Sequence, residues 1–200
     1  YVGLDDVEFG DEPLPGFADR EPVVLAVSVM APHKSIEDLL RAFASAAVEP
    51  ARLELVGPWP DASYRVAMEQ LAASLGLGGR VDFVGEVDDA TLANAYRRAR
   101  VFCLLSRCES FGIPAVEACA RGTPVVVADA CAPPEVAGPG GFVVPVGDHV
   151  AAGEHLRALL CEEAVWRPSS VRARENAERF RWASVVTPLV ELLDELGEGR

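Results

Sequence analysis

Residues 101–128 read VFCLLSRCESFGIPAVEACARGTPVVVA, and the pattern of this stretch indicates the fold class. The stretch begins and ends with short apolar runs, Val101–Leu105 and Val125–Ala128. Between them, a polar loop leads into an amphipathic segment near 114–121 that has the residue spacing of a helix. Strands that are apolar throughout and are separated by helices are typical of a parallel sheet that is covered on both faces.

The same alternation extends over most of the chain. Further apolar runs of strand length lie at Val23–Val29, Leu53–Val56, Val81–Val84 and Phe142–Val144. Helical patterns lie near 35–47, 62–75 and 89–99, and after Asp148 near 149–163, 169–180 and 183–196. We therefore predict an α/β fold, with a Rossmann-like, doubly wound parallel sheet followed by C-terminal helices. Residues 1–20 are interpreted as a linker or entry segment, 21–180 as the Rossmann-like domain and 181–200 as a C-terminal helix.

The composition argues against several classes of function. Asp and Glu outnumber Lys and Arg by 31 to 18, which gives a formal net charge of −13. Such a surface repels nucleic acids and anionic membranes. No apolar stretch approaches the roughly 20 residues that span a bilayer. The five cysteines show no C-x-x-C spacing, so we predict buried free thiols in a reducing compartment and no metal site.

The loop before residue 114 has the features of an anion-binding site. Pro114 suits the first turn of a helix, where its missing N–H would have no partner. Gly112 allows the backbone to approach a ligand. The N–H groups of Phe111, Gly112 and Ile113 lie at the positive end of the helix dipole, where they favour an anion.

Two glutamates flank this helix start. Glu109 lies in the loop before it, and Glu117 stands over the first helical turn, where its carboxylate can accept hydrogen bonds from two adjacent hydroxyls. An E-x7-E spacing alone is also common among solvated surface carboxylates. Within E-S-F-G-I-P-A-V-E-A, however, the pair resembles the glutamate motif of retaining family 4 glycosyltransferases, the group 1 glycosyltransferases.

The resemblance covers nearly the whole chain in the family's order. Similar segments are Gly3–Asp5, Leu75–Leu77, Val81–Val87, Arg121–Val126, Pro134–Ala137 and Gly140–Pro145. It implies that residues 21–180 form the nucleotide-sugar-binding domain, the C-terminal half of a GT-B fold. The chain starts without Met and within the family pattern, so we expect a longer parent whose N-terminal acceptor domain is its partner.

The resemblance also implies roles for individual residues. Glu117 would hold the ribose hydroxyls, and Glu109 would act as a catalytic group that contacts hydroxyls of the transferred sugar. The N–H groups of Phe111, Gly112 and Ile113 would meet the sugar or the diphosphate.

Lys34, the single lysine of the chain, matches the family's phosphate-binding lysine. It would stabilise the diphosphate leaving group, which makes it a second catalytic residue. Val87 lies in the stretch 84–89 whose backbone would meet the base. Val29 departs from the pattern, because the family commonly has an arginine there as a second phosphate ligand.

The implied activity is transfer of a hexose from a nucleoside-diphosphate sugar to a hydroxyl acceptor with retention, without a metal or other cofactor. We expect a cytoplasmic protein whose parent acts there or at the inner face of the membrane, and a chain that binds donor weakly and is inactive alone. Two alternatives stay open: a non-catalytic nucleotide-sugar-binding domain, suggested by Val29, and a nucleotide-sugar epimerase of the same fold. The sequence names neither the sugar nor the base nor the acceptor.

Overall fold

The predicted apolar runs form a sheet of six parallel strands in the computed structural model, which describes residues 3–10 and 13–198. The strands are β1 (Glu21–Val27), β2 (Arg52–Val56), β3 (Val81–Gly85), β4 (Ala99–Leu104), β5 (Val125–Ala128) and β6 (Phe142–Val144). Their order is β3-β2-β1-β4-β5-β6. The chain therefore builds outward from β1 to β3 and then returns to the other side of β1, which confirms the predicted doubly wound α/β fold.

Helices cover both faces of the sheet. They are α1 (Ile36–Ala46), α2 (Ala62–Ser74), α3 (Asp89–Arg98), α4 (Ile113–Ala120), α5 (Pro133–Ala137), α6 (His149–Cys161), α7 (Glu163–Ala177) and α8 (Trp182–Glu198). Alternate strand residues enter two separate cores. Val24 packs with α1, α2 and α6, whereas Leu25 packs with α3, α4, α5 and α7 on the other face.

Two predicted boundaries were wrong. Strand β1 ends at Val27, before Val29, whose side chain is half exposed. Helix α7 begins at Glu163 rather than at 169, and Pro168 lies inside it. The prediction ended one helical pattern near 163 and began the next near 169, just after this proline. In the structure the helix is continuous through Pro168, and within it Trp166 is buried and donates from Nε1 to the carbonyl of Arg100 at 2.7 Å.

Residues 3–10, predicted as part of a linker, pack on the junction between α7 and α8. Leu4 and Phe9 are buried, and the Leu4 N–H donates to the carbonyl of Phe180 at 2.7 Å.

Two of the five free thiols, Cys103 and Cys119, are buried as predicted, whereas the other three are exposed. Within 3–10 and 13–198, no helix is both long enough and apolar enough to cross a membrane.

A buried arginine holds the amino edge of the sheet together. Arg20, which directly precedes β1, is 2% exposed. Its guanidinium donates to the carbonyls of Ala99 at 2.8 Å and Arg121 at 2.6 Å, and to the Thr123 hydroxyl at 2.6 Å. Burial lowers the pKa of Arg20 to about 10, with a further contribution from the Arg97 charge. The group therefore stays charged at neutral pH and connects the starts of β1, β4 and β5.

We predict that Arg20→Met destabilises the fold by about 3 kcal/mol or more, because several buried acceptors then lose their donor at once. Urea unfolding measures this change. Arg157→Met, at an exposed position on α6, is the control and should change little. A loss of less than about 1 kcal/mol for Arg20→Met would mean that these acceptors find water instead.

Candidate functional site

The candidate site lies at the carboxyl edge of the sheet, where the loops after β1 and β4 meet. These two strands are neighbours, and the chain reverses its direction of winding between them. Lys34 comes from the short helical turn after β1, and Glu109 from the loop after β4. Lys34 Nζ lies 2.5 Å from Glu109 Oε2, with side chains 13% and 14% exposed. The structure thus joins the two predicted catalytic residues in one ion pair.

The loop that carries Lys34 is held by contacts with Arg107 and by the buried Ser35. Ser35 is fully buried in a left-handed backbone conformation, with φ of 52°. Arg107 anchors it, because its N–H donates to the carbonyl of His33 at 2.9 Å and its Nε donates to Ser35 Oγ at 3.0 Å. The Arg107 guanidinium also lies 3.4 Å from Asp38, which is buried in α1. The backbone on either side of Lys34 is therefore held in place.

The predicted anion-binding site at the start of α4 lies beside this ion pair. Helix α4 begins at Ile113 after Gly112, whose φ of 90° favours glycine. An added Cβ at Gly112 would make only ordinary contacts, so backbone conformation, and not space, requires glycine here. Lys34, Glu109, Phe111, Gly112 and Ile113 line one cavity of about 210 Å³. The first N–H groups of a helix have no partner within it and remain available to a ligand.

Val87 lies in the adjoining cavity, of about 510 Å³. The two cavities share Val27, Ser28 and Val29, so they form one continuous cleft along the ends of β1 and β2. Gly57 also lines the cleft. A Cβ at this position would lie 1.9 Å from the Ser28 carbonyl oxygen, so the two backbone segments can approach this closely only with glycine here. Val29 contributes an apolar wall where the family pattern commonly has a cation.

Glu117 faces a third cavity, of about 370 Å³, which shares Leu92 with the cavity of Val87. The Tyr96 hydroxyl donates to Glu117 Oε2 at 2.7 Å. Tyr96 is buried, so this hydrogen bond orients the carboxylate from the α3 side. The predicted residues therefore lie along one edge in three neighbouring cavities, and Glu117 is in a different one from Lys34 and Glu109.

Sequence reasoning missed two residues that shape the site. Tyr96 occupies an ordinary apolar position of an amphipathic helix, which carries no signal of a polar contact. Arg107 lies within the quoted motif, but its partners in α1 are distant in sequence. The pKa of the Cys108 thiol is raised, first by its hydrogen bond with Cys131 and further by the charges of Cys131 and Glu109, which disfavours a thiolate nucleophile.

A further cavity lies over β3, and its lining shares Val56 and Val87 with the 510 Å³ cavity described above. It has a volume of about 540 Å³ and includes Glu54, Arg65, Glu69 and Arg98 in its lining. These charges are paired with each other, Arg98 with Glu54 and Arg65 with Glu69. In the part of the chain that is described, no cluster of three or more His, Cys, Asp or Glu could hold a metal ion.

Comparison with known proteins identifies similar sequences over most of the chain. The family model for "Glycosyl transferases group 1" matches residues 12–180. A phosphatidyl-myo-inositol mannosyltransferase of Mycolicibacterium smegmatis is 32% identical over 96% of this chain and 50% of its own length. A D-inositol 3-phosphate glycosyltransferase of Nocardia farcinica is 34% identical over 88% of this chain and 41% of its own length. The chain thus spans about half the length of these relatives or less.

Solved structures are similar in fold. Sucrose-phosphate synthase from Thermosynechococcus elongatus has a TM-score of 0.82 at 29% identity and matches all of this chain over 52% of its own. The Anabaena Alr3699/HepE protein in complex with UDP-glucose has a TM-score of 0.84 at 24% identity, over 98% of this chain and 56% of its own. This second similarity concerns the fold alone.

We predict that Arg107→Ala loosens the loop around Lys34. The substitution removes side-chain contacts worth about 1 kcal/mol, so the Lys34 and Ser35 amides should exchange hydrogen about fivefold faster. Hydrogen exchange followed by NMR measures this. Arg41→Ala, which removes a 3.4 Å contact to Asp38 from within α1, is the control. Equal protection in the Arg107 and Arg41 variants would contradict the anchoring role.

Proposed function

The chain belongs to the group 1 glycosyltransferase family, and we propose on this basis that it is the donor-binding domain of a retaining hexosyltransferase. The parent protein would move a hexose from a nucleoside-diphosphate sugar to a hydroxyl acceptor. The observation that carries the proposal is the convergence of Lys34, Glu109 and the start of α4 on one cavity. Two neighbouring cavities, which include Val87 and Glu117 in their linings, offer room for the nucleoside.

The diphosphate is assigned to the start of α4. The N–H groups of Gly112 and Ile113 and the helix dipole favour an anion there. The Lys34 ammonium would balance the charge that develops on the leaving phosphate as the glycosidic bond breaks. We propose that no metal is needed, because the N–H groups and the dipole at the start of α4 supply positive potential there.

The nucleoside is assigned to the other two cavities. The backbone near Val87 would meet the base between β2 and α3. Glu117 would accept hydrogen bonds from the two ribose hydroxyls, with Tyr96 holding its carboxylate in place. The cavities of Val87 and Glu117 share Leu92, which supports a base and a ribose bound side by side.

The proposed chemistry is a displacement on one face of the sugar. The bond between the anomeric carbon and the diphosphate oxygen breaks, and a bond to the acceptor oxygen forms on the same face. The acceptor proton passes to the leaving phosphate. Glu109 would hold hydroxyls of the sugar during this step.

The rest of the parent would supply the acceptor site. Helix α8 exposes Leu189, Leu192, Leu193 and Leu196, each more than half accessible, and apolar surface of this kind is typical of an interface. We propose that it faces the N-terminal domain of a parent that acts in the cytoplasm or at the inner face of the membrane, and that the chain alone binds donor weakly without turnover.

A non-catalytic nucleotide-sugar-binding domain is the second candidate, because Val29 places no cation where the family commonly has one. An epimerase of the same fold is the third. Incubating the full-length parent with nucleotide sugars and analysing the products distinguishes them. Transfer to an acceptor with retained anomeric configuration supports the enzyme, inversion at a sugar carbon of the free nucleotide sugar supports an epimerase, and binding without turnover supports the non-catalytic domain.

We predict that this chain binds one nucleotide among UDP, GDP, ADP and their hexose conjugates, and that Lys34→Ala and Glu117→Ala each weaken binding about tenfold. This is the effect of losing one charge-assisted contact. Isothermal titration calorimetry measures it. Arg157→Ala and Glu154→Ala, at exposed positions on α6, are the charge-matched controls. Binding that survives both site substitutions unchanged would contradict the assignment of the cleft.

A finer prediction concerns Tyr96. Tyr96→Phe should weaken nucleotide binding about three- to tenfold, because Glu117 loses the hydrogen bond that orients it. Tyr64→Phe is a matched control, since the Tyr64 hydroxyl donates to Glu37 at 2.8 Å and this bond lies outside the three cavities. If both variants titrate like the wild type, Tyr96 does not position Glu117 for the ligand.

A further inference from the structure

We propose that Glu109 competes with the diphosphate for Lys34, so that the site prefers a nucleotide that carries a sugar over one that does not. This inference rests on the proposed function and concerns the selectivity of the same site. It assigns Glu109 a role in releasing the product as well as in holding the donor.

The first argument is the ion pair itself. Lys34 Nζ and Glu109 Oε2 are 2.5 Å apart, and both side chains are largely shielded from water. A partly buried pair is screened less than a surface pair, so it is harder to separate. A diphosphate that reaches Lys34 must therefore replace Glu109 as its partner or approach close to the Glu109 carboxylate.

The second argument is the charge of the cavity. Among the described residues that line the cavity, Lys34 is the one cation and Glu109 is the one anion. Val29 adds no charge. The nearby Arg107 is already engaged with Ser35, Glu37 and Asp38, which balances its charge outside the cavity. The side chains at the diphosphate position are therefore neutral as a set, and Glu109 cancels the attraction of Lys34.

The third argument is what replaces Lys34 as the partner of Glu109. In a nucleoside-diphosphate sugar, the hexose hydroxyls are donors that a carboxylate accepts from. The donor therefore compensates Glu109 while its diphosphate takes Lys34. A nucleoside diphosphate has no such hydroxyls, and its phosphates meet a carboxylate without a new partner. After transfer, Glu109 would return to Lys34 and displace the diphosphate product.

The test compares the affinities for a nucleoside diphosphate and for the sugar conjugate of the same nucleotide, which one substitution should change in opposite directions. Glu109→Gln removes the charge and keeps the shape of the side chain. We expect the variant to bind UDP about three- to tenfold more tightly than the wild type does and to bind UDP-glucose more weakly. If guanine is the base, the same opposite changes are expected for GDP and GDP-mannose. Isothermal titration on this chain and on the full-length parent measures both. Glu154→Gln, which removes one charge at an exposed position on α6, should change neither affinity.

Lys34→Ala separates this inference from the proposed function. If Glu109→Gln weakens both ligands or changes neither, while Lys34→Ala still weakens both, the competition is wrong and the donor site stands. If Lys34→Ala also has no effect on either ligand, both the competition and the donor site are wrong. Circular dichroism of each variant confirms that the fold is intact.

Discussion

The pairing of β1 with β4 is the constraint on which the site depends. Because the chain builds outward from β1, returns and adds β4 on the other side, the loops that follow these two strands lie next to each other at the carboxyl edge. One loop brings Lys34 and the other brings Glu109 and the start of α4. Residues separated by 75 positions in the chain thereby form a contact, and the crevice at this reversal is where ligands bind in open α/β sheets.

The two edges of the sheet have different physical roles. At the amino edge, Arg20 is fully engaged with backbone carbonyls and a hydroxyl, and this arrangement stabilises the connections into β1, β4 and β5. At the carboxyl edge, the polar groups are arranged around cavities, and their partners can be exchanged for those of a ligand. The Tyr96 carbonyl accepts from the Thr123 hydroxyl near Arg20, while its side chain reaches Glu117. Tyr96 thus connects the stabilising network with the site.

The sheet was predictable because its signal is local. Each buried strand is a short apolar run, and the six runs were found with small errors at their ends. The start of α7 was less predictable, since the hydrogen bond from Trp166 to the carbonyl of Arg100 joins segments that are distant in sequence. Similarly, no pattern around Arg20 indicates that it is buried, because its acceptors lie in distant segments.

The candidate site was predictable in part for the same reason. Gly112, Ile113 and the two glutamates belong to one continuous motif, and Lys34 follows a strand at the expected edge. The ion pair between Lys34 and Glu109 depends on the order of the strands, which a motif does not specify. The anchoring by Arg107 and the orientation of Glu117 by Tyr96 are tertiary contacts between side chains and could be found only from the structure.

Amide chemical-shift mapping of this chain with UDP-glucose and GDP-mannose in turn tests whether the donor binds where the loops after β1 and β4 meet. We expect one of the two ligands to shift the amides of Gly112, Ile113 and Lys34 most strongly, with further changes near Val87. These changes should saturate together, because a single ligand causes them. If the largest changes instead fall at Asp82, Phe83 and Arg98 and the start of α4 is unaffected, the ligand lies in the cavity over β3, and the assignment of the donor to the cleft of Lys34 is wrong.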